Sequence, residues 1–264
     1  MIAICLTCML QASVVAGPPD GATGIVVDGS ALEIDRARFP RVYDEGDNMI
    51  YPPDKLCADP NYQGFEGYKR CVDDAVKDAK RVGGKPWVIT PLRLKGNDPI
   101  HGSVVVNAED AVALRRLNVE RGLLDRDRVA FVLGMAVAEA EPAGEAVKAK
   151  PEAPVKIKFS KALADSCADN ASLLSVTTAD GTIVGGKVRY DADSKTLVFS
   201  PSSPWAPGTK YTVRVSHLIE SDLGGVMDAD YVFSFQVAAG ESHAASSDRP
   251  GGAADGGARP AASG

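Results

Sequence analysis

The strongest constraint on this chain is the alternation of apolar and polar side chains over residues 154–237. A strand sends successive side chains to opposite faces, so Val155, Ile157 and Phe159 share one face while Lys156 and Lys158 take the other. The same period predicts strands at Leu173 to Thr178, Val184 to Tyr190, Thr196 to Phe199, Tyr211 to Val215 and Val232 to Val237. Turn formers separate them at Asp180-Gly181, Gly185-Gly186, Asp191 to Ser194, Pro207-Gly208 and Gly224-Gly225. Short strands at this spacing, with no helical period between them, predict a two-sheet sandwich. In its last strand Phe233 and Phe235 should face inward, because Ser234 and Gln236 occupy the opposite face. Trp205 is expected to cover the sandwich edge.

Four segments carry a family resemblance. The opening strand VKIKFSKAL, the strand pair KVRYDADSKTLVFSP, the segment WAPGTKYTVRVS and the closing DLGGVMDADYVFSFQV together resemble the bacterial Ig-like domains of the S-layer SbsA type. PGTKYTV and DYVFSF are the most specific parts, and the resemblance spans essentially all of 154–237. Ala162 stands where the family often has Pro, and Gly225 where its loop often carries Asn. The resemblance implies an Ig-like β-sandwich over 154–238, a module that presents loops and edges without requiring chemistry.

The first half reads differently. Ile25-Val26-Val27 has the look of a short strand, and 41–62, rich in turn formers without a sustained period, reads as loop. Phe65, Tyr68, Cys71, Val72, Ala75, Val76 and Ala79 recur at helical spacing, which predicts a helix closed by Gly83-Gly84. Trp87 to Thr90 and Ile100 to Val106 read as strands, with Trp87 in the core. Asn107, with Asp110 three residues on, predicts a capped second helix that stops at Gly122, and Val129 to Leu133 is a last strand or a short helix. Residues 17–138 are therefore expected to form a small α+β domain.

Residues 1–16 carry no charge and end in Val14-Val15-Ala16, the pattern of a signal peptide, or else a buried strand. Residues 139–153 are mostly Ala, Glu, Lys and Pro and are expected to be a linker that lets the two halves fold independently. Residues 239–264, rich in Gly, Ala, Ser and Pro, are expected to be a disordered tail. No run of about 20 apolar residues predicts a transmembrane segment. Cys57 and Cys71 are open to two readings, a disulfide in an oxidising compartment or, for Cys71, a small buried hydrophobe.

A net charge of −6 disfavours a nucleic-acid partner. Arg115, Arg116, Arg121, Arg126 and Arg128 read as a charged helix face neutralised by Glu120, Asp125 and Asp127. No nucleophile elbow, zinc-protease pair or phosphate loop is present, so neither catalytic nor cofactor residues are assigned. His101, beside Asp98, and His217 read as structural or solvated. The acids at 44–48 lack the ladder of a calcium loop, whereas Glu220, Asp222, Asp228 and Asp230 crowd one loop and are weak calcium candidates. The chain is thus expected to be a non-enzymatic exported envelope or surface protein, periplasmic, cell-surface or secreted. Its Ig-like module would serve as spacer or adhesion surface for a protein or cell-wall glycan. The alternative is an envelope enzyme with its active site in the first domain.

Overall fold

The computed structural model describes residues 17–142, 148–168 and 170–239. The stretches read as a signal peptide and as a tail lie outside the described residues, Ala239 excepted. The first domain contains β1 (Gly24–Asp28), β2 (Arg41–Tyr43), β3 (Met49–Tyr51), α1 (Asp54–Cys57), β4 (Tyr68–Lys69), α2 (Val72–Lys77) and α3 (Ala79–Val82). It continues with β5 (Pro86–Ile89), β6 (Arg93–Leu94), β7 (Ser103–Val105), α4 (Ala108–Arg121) and β8 (Val129–Val132).

One sheet, ordered β4-β8-β1-β5, is parallel throughout. The other, ordered β3-β2-β7-β6, is mixed, and its β2 and β3 correct the loop reading of 41–62, where pairing with β7 orders short strands that show no period of their own. The α+β expectation is thus too simple for a domain whose central sheet is parallel. That sheet is covered on both faces, which explains why β8 is buried along its whole length and shows no alternation. Ile25, Val27, Trp87, Ile89 and Phe131 pack with Val42, Val104 and the α4 residues Ala111, Leu114 and Leu117. Val26, Ala130 and Val132 point the other way, against Ala75 and Val82 of α2 and α3.

The helix expected over Phe65 to Ala79 is much shorter. Tyr68 and Lys69 form an edge strand on β8, with Gly67 and Lys69 accepting from the amides of Phe131 and Leu133. Phe65 and Tyr68 are joined by ring packing, 5.0 Å between centroids, and both reach Phe131. Their spacing reflects this aromatic cluster rather than a helix face, and Cys71 precedes α2 as its N-cap. The strand expected from Ile100 narrows to Ser103–Val105, leaving Ile100 exposed. The second helix is as expected: the Asn107 side chain accepts from the Asp110 amide at 2.7 Å, and Gly122 takes the left-handed conformation that ends it.

The second domain is a sandwich of two four-stranded sheets. It contains β9 (Val137–Glu141), β10 (Lys148–Ala149), β11 (Val155–Phe159), α5 (Asp165–Ala168), β12 (Leu174–Thr178), β13 (Gly186–Asp191), β14 (Thr196–Pro201), β15 (Lys210–Val215) and β16 (Tyr231–Val237). The sheet orders are β10-β16-β15-β12 and β13-β14-β11-β9. The linker reading of 139–153 is corrected here, because β9 pairs antiparallel with β11 and β10 pairs parallel with β16. An edge strand needs only small inward side chains, and Ala140 and Ala149 supply them. Composition alone therefore mistakes this edge for a tether.

Phe235 is fully buried and Phe233 only partly so. Trp205 is not an edge cover. It lies inside the sandwich against Phe199, Tyr211 and Phe235, and its indole N–H donates to the Ala153 carbonyl at 2.6 Å. Cys57, Cys71 and Cys167 are free thiols, the first exposed and the other two buried. No helix among the described residues is long and apolar enough to cross a membrane.

Candidate functional site at the domain seam

In a parallel sheet, ligand crevices open at the carboxyl ends of the strands. Here that edge is formed by Asp28 at the end of β1, Val132 at the end of β8 and Arg70 just after β4. The loop between β15 and β16 of the sandwich enters it. Arg70 is the hub: its guanidinium donates to the Gly224 carbonyl at 3.1 Å and pairs with Glu220 at 3.2 Å, while its own carbonyl accepts from the Val226 amide at 3.0 Å. Arg36 reaches the Leu223 carbonyl. Ser160 donates to the Ser30 carbonyl at 2.7 Å and accepts from the Ala136 amide. Gly225 sits on Gly134 so closely that a Cβ there would strike the Gly134 backbone. The two domains are docked rather than tethered.

The four calcium candidates have separate fates. Glu220 pairs with Arg70. Asp228 accepts from the Asp73 amide at 2.8 Å and so caps α2 from the other domain, where Cys71 makes no side-chain cap. Asp230 holds the His217 amide, its Nδ1 at 2.7 Å, and Arg214. The His217 amide and ring, then Arg214, hold the Asp230 carboxyl well below the usual carboxylate range. Asp222 lies near Lys161. The structure therefore spreads these acids over two domains' worth of partners, and no group of three metal-ligating side chains forms among the described residues.

Lys161 is the residue that sequence reasoning missed. It is 3% exposed, and its Nζ has no hydrogen-bond partner; the Ser30 hydroxyl beside the seam is likewise buried without one. Burial pulls the Lys161 ammonium down to about 8, against the opposing pull of Asp28, Asp35 and Asp222. The signal was present, since Lys161 follows Val155, Ile157 and Phe159 in the inward phase of the alternation.

Residues 134–237 match the family model of the bacterial Ig-like domain. The match begins upstream of the stretch read as a linker, in keeping with β9 and β10 belonging to the Ig-like domain. Residues 24–135 match the model described as Treponema pallidum Tp0624, second domain. No curated protein matches the chain. Among solved structures, the N-terminal part of the bacterial S-layer protein SbsC is similar at 16% identity, over 50% of this chain and 29% of that one, with a TM-score of 0.32. CopC from Methylosinus trichosporium OB3b is similar at 21% identity over 40% of this chain and 96% of its own, with a TM-score of 0.33. Native Escherichia coli alpha-2-macroglobulin is similar at 14% identity over 40% of this chain, which spans 6% of that protein, with a TM-score of 0.33.

Of the two histidines among the described residues, His217 is held on the surface by Asp230. His101 adopts a left-handed backbone in an exposed loop, 4.0 Å from Asp35, and its amide donates to the Asp98 carbonyl. The Asp98 carboxylate accepts from the Ile100 amide at 3.1 Å. The acids at 44–48 turn the β2–β3 hairpin, where the Asn48 amide and Arg115 hold Asp44 down at about 2.

Proposed function

We propose that the protein is a non-enzymatic, exported component of a bacterial envelope, with an Ig-like domain of the SbsA type serving as spacer and as a surface for a protein or cell-wall glycan. The observation that supports this reading is the filling of the parallel sheet's carboxyl edge by the Glu220 to Asp228 loop. The place where an α/β domain ordinarily holds a small molecule is taken by its own neighbour. Docking of this kind sets the direction in which the Ig-like loops project, which a spacer needs and a flexible tether does not give.

Fractionation of a bacterial host expressing the tagged full chain tests the proposal. The expected result is recovery outside the cytoplasm with a new amino terminus after Ala16. Full-length protein confined to the cytoplasm would overturn it.

A further inference from the structure

At the opposite, amino-terminal edge of the parallel sheet is a cavity of about 560 Å³. Ala22, Thr23, Ala79, Gly83 and Leu123 line it, and Arg121, Arg126 and Arg128 stand around it. In the sequence these arginines look neutralised by Asp125 and Asp127. Among the described residues neither acid forms an ion pair with any of the three. Asp125 is bound to Asn118 and Lys55, and Asp127 to Tyr51 and Arg81, so the run Asp-Arg-Asp-Arg sends its acids and its bases to different partners.

Arg126 donates to the Arg121 carbonyl, and Arg128 to the Lys80 and Arg81 carbonyls at 2.7 and 3.3 Å. These bonds fix the guanidiniums and cap the carbonyl ends of α3 and α4, which would otherwise repel an anion. Among the described residues none of the three arginines has a carboxylate partner, while Glu120, which also lines the cavity, lies 3.9 Å from Arg116. A guanidinium carries five N–H donors in a planar fork suited to phosphate oxygens, so most of this donor capacity is unused.

We propose that this cavity binds a phosphorylated small molecule of sugar-phosphate size, with Arg121 and Arg126 gripping the phosphate. Titration calorimetry on the full chain, with pyrophosphate and N-acetylglucosamine 1-phosphate as probes and unphosphorylated N-acetylglucosamine and citrate as controls, tests it. Both phosphates should bind, more weakly as salt rises, and the controls should not. Arg121→Gln combined with Arg126→Gln should weaken binding roughly tenfold or more, through the loss of both charge-assisted contacts, with an unchanged circular dichroism spectrum. Arg189→Gln in the Ig-like domain should have no effect. Amide shifts of Thr23, Gly83 and Gly122 on adding pyrophosphate to the unaltered protein locate the site independently of any variant. Silence with both phosphates, equal binding of citrate, or undiminished binding by a folded double variant would each overturn the proposal.

Discussion

Gly225 of the Ig-like domain rests on the backbone of Gly134, and Gly134 in turn leaves no room for a side chain beside Ser30. The seam is closed by backbone against backbone at this point. Close packing of this kind tolerates no added carbon without movement. Gly225→Val should therefore force the docking loop out and cost roughly 1 to 3 kcal/mol, as overpacking does. Urea unfolding followed by separate probes in each domain measures this. The unaltered chain is expected to unfold in one transition and the variant in two; identical curves would show that the seam does not couple the domains.

Lys161 sets a pH dependence with a definite sign. Its ammonium titrates near 10.5 when solvated and near 8 in the folded seam, so the unfolded chain holds this proton more tightly between those values. Stability contributed by this group therefore rises with pH through the window from about 8 to 10.5, and below it the charged form costs on the order of 3 kcal/mol. Lys161→Met should be more stable than the unaltered protein at pH 7 by up to that amount, because it removes a buried charge that has no hydrogen-bond partner. The advantage should shrink as pH approaches 10.5. Thermal melts across this range decide it, and a constant difference between the two proteins would refute the assignment.

Within the sandwich, Phe235 is fully buried between Trp205 and Tyr211, whereas Phe233 packs only partly against the core. Phe235→Ala should cost about 3 to 5 kcal/mol, and Phe233→Ala clearly less. Ser234→Ala gives up a hydroxyl contact with Thr212 and should cost about 1 kcal/mol. Chemical denaturation of the three variants gives the order, and equal losses for Phe233 and Phe235 would place the face of β16 wrongly.

Fragment boundaries follow from β9 and β10. A fragment of residues 134–238 retains both edge strands, while one of 151–238 lacks them and leaves β11 and β16 each with a bare side. The longer fragment should show the higher melting temperature, and the shorter should be prone to association. Calorimetry and sizing of the two would contradict this if they behaved alike.

The alternation of Val155, Ile157 and Phe159 with Lys156 and Lys158 determined the sandwich by itself, because a period of two is a local property that any half-buried strand must show. Asn107 and Gly122 likewise fixed the ends of α4, since a cap is settled within a few residues. The first sheet was less legible: Val26 and Ala130 are covered on one face and Ile25 and Val129 on the other, and burial on both sides erases the period. Tertiary structure alone decided that Ala140 and Ala149 complete sheet edges, that Asp228 caps a helix in the other domain, and that Asp125 and Asp127 form their ion pairs with Lys55 and Arg81. Each of these depends on partners brought together from distant parts of the chain, and local spacing carries no information about which side of the backbone such a partner will occupy.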